Sequence, residues 1–174
     1  MSEPVRFYVN PAWRREEASH IPLLFPFWGK KFWKNVMFTS GIFDTFSFDT
    51  NEYAITDDIS SSHAILLPYR FDIAMTKFPA LVQEIETLSE KSGKSVVIDA
   101  VGDGEYAVPL KSAIVLRYGG YRFLKKNNEI IVPPYADDLL LRYQTGMLTF
   151  REKGTKPVIG FVGWARMLFV QSVR

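Results

Sequence analysis

Short continuous runs of apolar residues alternate with polar or glycine-containing links along most of the chain. Such runs are typical of strands that are covered on both faces, as the strands of a parallel sheet are. The pattern predicts strands at Val5–Val9, Ala64–Leu67, Ser95–Ile98, Ala113–Leu116, Glu129–Val132 and Pro157–Val162. An amphipathic helix is predicted at Lys77–Ser92, because its apolar residues share one face, Pro79 lies in its first turn and Gly93 follows its last.

The order strand, helix, strand with short links is that of a βαβ unit. We therefore predict an α/β fold: a Rossmann-like, mostly parallel sheet with flanking helices on both faces. Ahead of it, residues 13–35 are rich in aromatic side chains, and Pro22 and Pro26 exclude one continuous helix there. Residues 36–63 run into a polar stretch, for which we predict a long surface loop.

The composition narrows the class of protein. With 174 residues, 47% hydrophobic and 23% charged, the chain has the length and composition of a globular domain. It has no cysteine, which excludes disulfides and cysteine-based metal sites. The formal net charge is only +2, so no strong field attracts nucleic acid, and we expect no nucleic-acid partner. We also expect no transmembrane segment and a cytoplasmic protein, with peripheral membrane attachment as the alternative location.

A glycine-containing turn follows one predicted strand at the position where open α/β sheets usually bind ligands. The strand leads into Asp99, and the turn reads Gly102-Asp103-Gly104-Glu105. Main-chain N–H groups in such a turn can approach a phosphate, and the pair Asp103 and Glu105 can offer oxygen ligands to a divalent cation. The alternative is an ordinary glycine-rich turn with solvated acids, and we predict no metal site.

Two groups of basic and aromatic side chains allow similar alternatives. The first is Lys30, Lys31 and Lys34 interleaved with Phe32 and Trp33, with Arg14, Arg15 and His20 nearby; the second runs from Arg117 through Tyr118 to Lys126. Basic and aromatic residues together can hold an anionic sugar or a single-stranded nucleic acid. A solvated rim around buried aromatics, and a charged surface hairpin, explain the same two groups without a ligand.

A series of segments across about residues 62–166 resembles the exostosin-like glycosyltransferases, family 47. In order, the series reads SHAILLPY, a helix, SVVIDAVGDGE, AIVLRYGGYR, NEIIVPPY and KPVIGFVGWAR. The resemblance implies a GT-B architecture, in which two Rossmann-like domains face each other across a cleft. The N-terminal domain receives the glycan acceptor, the C-terminal domain binds a nucleotide-sugar, and a base deprotonates the acceptor hydroxyl during an inverting transfer.

This sequence departs from the family in the second half. It ends at Arg174, about where the donor domain would begin, so the family's donor motifs have no counterpart and no catalytic residue is assigned. We expect residues 1–61 to form an aromatic-rich N-terminal part, residues 62–156 the acceptor-side core, and residues 157–174 the first strand of a missing or truncated donor domain. We accordingly expect this chain alone to transfer no sugar, neither hexose nor glucuronic acid.

The resemblance and the predicted strand ends together nominate binding residues. Expected on the acceptor side are Asp99, Gly102, Asp103, Gly104, Arg117 and Tyr135, and on the donor side Gly163 and Arg166. A nucleotide-sugar is the expected co-substrate, with no covalently bound cofactor. Expected partners are a glycan acceptor and either a separate donor-domain chain or a second copy. The alternative functions are a non-catalytic glycan-binding module and a phosphate-binding Rossmann-like module that uses residues 102–105.

Overall fold

A computed structural model of the chain describes residues 3–30, 48–100, 107–118, 125–132 and 147. In this part of the chain six strands form one sheet. They are β1 (Val5–Tyr8), β2 (Tyr53–Thr56), β3 (Ala64–Leu66), β4 (Val96–Asp99), β5 (Ala113–Tyr118) and β6 (Glu129–Val132). The α-helices are α1 (Phe25–Trp28), α2 (Phe71–Lys77) and α3 (Pro79–Ser92), and short 3₁₀ helices lie at Pro11–Trp13 and Pro22–Leu24.

The strands are ordered β2-β1-β3-β4-β5-β6, and each neighbouring pair is parallel. This confirms the predicted α/β, Rossmann-like fold, with every described pairing parallel. The five predicted strands that fall within the described residues are all present. The chain runs outward from β1 to β2, returns past β1 to β3, and then continues outward on the other side. The order therefore reverses between β1 and β3.

Two adjacent residues of β1 show that helices cover both faces of the sheet. Side chains alternate along a strand, so Phe7 and Tyr8 point to opposite faces. The Phe7 ring lies 6.2 Å from that of Tyr53, which in turn contacts Phe27 of α1 at 5.6 Å. Tyr8 instead packs edge-on against Trp13, whose indole Nε1 donates a 2.8 Å hydrogen bond to Glu84 of α3. Thus α1 and α3 lie on opposite faces.

Helix α3 confirms the predicted amphipathic helix and begins two residues later than expected. Its inward face buries Leu81, Val82 and Ile85. The start is set by Pro79, because the residue before a proline avoids helical dihedrals, and Phe78 has φ −133° and ψ 50°. The end is set by Gly93, which adopts the left-handed conformation at φ 68°.

Two elements were missed by the sequence pattern. No strand was predicted within residues 36–63, yet Tyr53–Thr56 form β2 just ahead of the polar stretch that was predicted as a surface loop. Strand β2 pairs with β1, and of its residues only Tyr53 is fully buried, so it carries no continuous apolar run. Helix α2 precedes α3 directly, and the sequence pattern treated its last residue, Lys77, as the beginning of the following helix.

The core is centred on β3 and β4, in which every residue is buried. By contact density the chain divides into two compact units, residues 1–137 and 138–174, and the sheet belongs to the first. Strands β1 and β2 come from the aromatic-rich segment 1–61 and join the same sheet as the strands of 62–156. The predicted strand Pro157–Val162 lies outside the described residues, so the division at residue 157 stays a prediction.

Substitution of Gly93 tests the end of α3. A Cβ at this position meets no atom within 4 Å, so Gly93→Ala introduces backbone strain without a steric clash. We expect it to lower the free energy of unfolding by about 1 kcal/mol, because a left-handed conformation is unfavourable for alanine. Gly93→Asn should lose less, since asparagine tolerates this conformation better. Urea denaturation followed by circular dichroism measures both, and equal losses would contradict the conformational explanation.

Candidate functional site at the carboxyl edge of the sheet

All the described strands are parallel, so the links that follow them leave from the same edge of the sheet. In open α/β sheets ligands bind at this carboxyl edge. Asp99, predicted from the sequence as a binding residue, is the last residue of β4 and lies at this edge. It is only 1% exposed and is engaged in interactions with its surroundings. The predicted residues Gly102, Asp103, Gly104, Tyr135, Gly163 and Arg166 lie outside the described residues.

The two described candidates, Asp99 and Arg117, lie on neighbouring strands but on opposite faces. Asp99 is paired in register with Leu116, so these two side chains share a face. Arg117 is the next residue along β5, and side chains alternate, so it points to the other face. The sheet therefore brings the two residues close along the edge without joining them in one constellation.

Arg117 is held by an ion pair with Glu129, the first residue of β6. Its Nε donates to Glu129 Oε1 at 2.8 Å, and the amide of Lys126 donates to Glu129 Oε2 at 3.1 Å. The exposed fractions of the two side chains are 13% and 7%. A carboxylate this buried needs partners for its charge, and the pair also fixes β6 against β5. The described contacts thus give Arg117 a structural role.

The same contacts govern the ionisation of Glu129. Burial alone would raise its pKa, because it disfavours the charged form. The hydrogen bonds from the Lys126 amide and the Arg117 guanidinium, together with the positive charges of both residues, outweigh burial, and the pKa lies below its ordinary value. Glu129 is therefore ionised and paired at neutral pH.

A second set of contacts, which the sequence did not reveal, joins the links that follow β1 and β3. Tyr69 is fully buried, and its hydroxyl donates to the carbonyl of Trp13 at 2.9 Å and accepts from the amide of Arg15 at 2.7 Å. The amide of Ile21 adds a 2.9 Å bond to the carbonyl of Pro68. Together these bonds close the gap between the two links. Both Pro68 and Tyr69 belong to the segment SHAILLPY. The sequence does not indicate that they contact the link after β1, because this contact depends on the order of the strands in the sheet.

Burial also determines the state of this hydroxyl. It raises the pKa of Tyr69, while the hydrogen bond from Arg15 and the positive charges of Arg15 and Arg14 offset part of that effect; Glu17 raises it further. With its pKa above the ordinary value, the hydroxyl keeps its proton at neutral pH and donates it to Trp13.

The basic and aromatic group near the N-terminus is divided between core and surface in its described part. His20 is buried, its Nε2 lies 2.7 Å from the carbonyl oxygen of Gly29, and its ring packs edge-on against Phe25 and Trp28. Lys30 is exposed. Residues 31–34 lie outside the described residues. The described part of this group therefore agrees with the second alternative, a solvated rim around buried aromatic side chains.

The described ranges contain neither a metal-binding cluster nor a membrane-spanning helix. No cluster of three or more histidine, aspartate or glutamate side chains within them could hold a metal ion. Within the same ranges, no helix has both the length and the apolar character required to cross a membrane.

Fold and edge together define the described part of this protein as a Rossmann-like α/β domain with its candidate ligand site at the carboxyl ends of parallel strands. No family model, no curated protein and no solved structure matches the chain.

Removal of the Tyr69 hydroxyl should destabilise the closure between the β1 and β3 links. Tyr69→Phe leaves a carbonyl and an N–H without their partner in a buried place, which we expect to cost about 2 kcal/mol in the free energy of unfolding. Tyr8→Phe is the matched control, because the Tyr8 hydroxyl makes no hydrogen bond to a described residue; it should cost less than about 0.5 kcal/mol. Urea denaturation measures both, and equal losses would show that the hydroxyl does not hold the links.

Replacement of Glu129 should remove a pH-dependent part of the stability. Because the pKa of Glu129 is lower in the folded state, its contribution is complete above the unfolded value of about 4.3 and is lost as the pH falls through the folded value. We expect Glu129→Gln to cost about 2 kcal/mol at pH 7 and progressively less below about pH 4. Urea denaturation at a series of pH values measures the difference.

The control for Glu129→Gln is Glu90→Gln on the exposed side of α3. It should differ from the wild type by the same small amount at every pH. If the loss in Glu129→Gln stays constant from pH 7 to pH 3, the ion pair does not set the ionisation of Glu129.

Proposed function

We propose that this chain is the acceptor-side domain of an exostosin-like glycosyltransferase with a GT-B architecture. On this proposal it holds a glycan while a nucleotide-sugar bound on the facing domain supplies the sugar. On the same proposal, residues 62–156 form the core of the acceptor side. The donor-side residues Gly163 and Arg166 remain proposals from the resemblance.

The observation that carries the proposal is the order of the resembling segments within the sheet. Strand β3 belongs to the first segment, α3 follows, and β4, β5 and β6 begin or contain the next three. These four strands are adjacent and parallel in the order of the chain. Parallel pairing supports the proposal, because it places the link after each strand at one edge, across which an extended saccharide can lie.

The described contacts also divide the nominated residues by role. Asp99 is buried, and Arg117 is paired with Glu129, so we assign both to holding the carboxyl edge in place. Contact with the glycan then falls to residues 102–104 and Tyr135. Among these, Asp103 has the strongest hydrogen-bonding group, since a carboxylate accepts bonds from the hydroxyls of a sugar.

Saccharide binding to the purified chain tests the proposal. We would measure saturation-transfer NMR with neutral and uronic-acid-containing oligosaccharides, and with a nucleoside diphosphate alone. Asp103→Ala should raise the dissociation constant of the bound oligosaccharide about tenfold, the effect of losing about 1.4 kcal/mol of interaction. Asp57→Ala is the matched control, because Asp57 is exposed at the same edge just after β2, three strand spacings or about 14 Å from β4.

The outcomes separate the proposed function from its alternatives. Saturable oligosaccharide binding that weakens in Asp103→Ala and not in Asp57→Ala supports the acceptor-side domain. Binding of the nucleoside diphosphate without any oligosaccharide would contradict it and favour a phosphate-binding module. Absence of saccharide binding, or equal effects of the two variants, would also contradict it.

A further inference from the structure

The strand order reverses between β1 and β3, and this point of the sheet is a second position at which a ligand can bind. At such a point the links after two adjacent strands diverge to opposite faces, and open α/β sheets bind ligands in the crevice between them. Here the links are residues 9–15 after β1 and residues 67–70 after β3. The Tyr69 hydroxyl joins them through Trp13 and Arg15, so whatever surrounds this closure is held in a fixed geometry.

The arginines of the described ranges differ in how their charge is balanced. Arg6 is paired with Glu3, Arg70 with Asp72 and Arg117 with Glu129. Arg14 and Arg15 instead bond main-chain carbonyl oxygens. Arg14 Nη2 donates to Trp28 at 3.0 Å, while Arg15 Nη1 donates to Ala12 at 2.6 Å and to Arg14 at 3.3 Å.

A carbonyl oxygen orients a guanidinium without neutralising it. Each guanidinium carries five N–H donors in a planar fork, and the carbonyls engage one nitrogen of each. Among the described residues, no carboxylate lies within ion-pairing distance of Arg14 or Arg15. Glu16 and Glu17 follow in the chain and are exposed, and Glu17 contributes an opposing charge near Tyr69. The link after β1 thus carries two successive arginines, each oriented by main-chain carbonyl oxygens.

We propose that Arg14 and Arg15 form a binding site for an oxyanion at the crevice between the carboxyl ends of β1 and β3. The ligand is a small molecule or saccharide bearing a phosphate, sulfate or carboxylate group, because planar guanidinium donors match pairs of oxygen atoms on such groups. This site differs from the one proposed at residues 102–104. Strand β3 separates β1 from β4, which places the two links about 10 Å apart along the edge.

An NMR titration of the full chain with inorganic phosphate tests this site. Ionic strength and pH are held constant with chloride, so that screening does not change during the titration. We expect saturable shifts of the arginine Nε–Hε signals of Arg14 and Arg15 and of the Arg15 amide. Glucuronate and sulfate in place of phosphate identify which oxyanion binds most tightly, and glucose serves as the neutral probe.

The variants separate the proposed site from general attraction between charges. Arg14→Gln and Arg15→Gln should each raise the dissociation constant for the best oxyanion about tenfold. Arg15→Lys should fall in between, because it keeps the charge and loses the planar fork. Arg70→Gln is the matched control, since Arg70 follows Tyr69 at the same edge but is paired through Asp72 at 2.7 and 3.1 Å; it should change the constant less than twofold.

Every outcome bears on the proposal. Saturable binding lost in Arg14→Gln and Arg15→Gln supports it, whichever oxyanion binds best. Shifts that never saturate, equal effects in Arg70→Gln, or equal binding of glucose would overturn it. Because Arg14 is exposed and Arg15 is half-buried, we expect their variants to fold. An amide spectrum that is unchanged away from residues 9–30 verifies this. If Asp103→Ala leaves oxyanion binding intact, this site is independent of the proposed saccharide site. Failure of one proposal then does not contradict the other.

Discussion

Parallel pairing on both edges of β1 is the constraint on which the described structure depends. Strand β1 is in register with β2 on one side, Val5 opposite Tyr53, and with β3 on the other, Phe7 opposite Ala64. Because β1 comes first among the described strands and still lies between β2 and β3, the chain turns back across the sheet after β2. The reversal places the links after β1 and β3 next to each other, and Tyr69 is the residue that closes them.

Charged side chains have different roles in two parts of the sheet. Between β5 and β6, Glu129 at the start of β6 is paired with Arg117, and this ion pair holds the two strands together. At the reversal point, Arg14 and Arg15 are oriented by carbonyl oxygens and keep their charge. Ion pairs between buried groups stabilise an existing geometry, whereas oriented and unneutralised cations are suited to binding an anion. This difference separates the ion pair between β5 and β6, which is structural, from the crevice between β1 and β3, where we propose that an oxyanion binds.

The sequence predicted the buried elements better than the exposed ones. Strands β3, β4 and β5 and helix α3 follow from continuous apolar runs, a helical period, Pro79 and Gly93. Strand β6 was predicted from an apolar run too, although Ile130 and Ile131 are exposed. Strand β2 was missed because it is half-buried and adjoins a polar stretch, and α2 because Pro79 concealed where one helix ends and the next begins. A run of apolar residues indicates a buried segment, so buried elements are the ones that a sequence predicts most directly.

The candidate site was less predictable because it depends on strand order and register. Position after a strand was enough to nominate Asp99, but a shift of one residue in pairing decides the face, and the register puts Arg117 on the other one. The partner of Arg117 is Glu129, twelve residues away and on a different strand. No spacing in the sequence indicates that pair, or the meeting of Tyr69 with Arg15.

Amide hydrogen exchange along β1, followed by NMR, tests the central position of this strand most directly. The amides of Val5 and Val9 donate toward β2, to Glu52 and Thr56, while that of Arg6 donates the other way, to His63 Nδ1. A strand bonded on both edges protects consecutive amides, so slow exchange is expected at successive residues from Val5 to Val9. Slow and fast exchange alternating from one residue to the next would show that β1 has a free edge, which would contradict the strand order and the reversal point between β1 and β3.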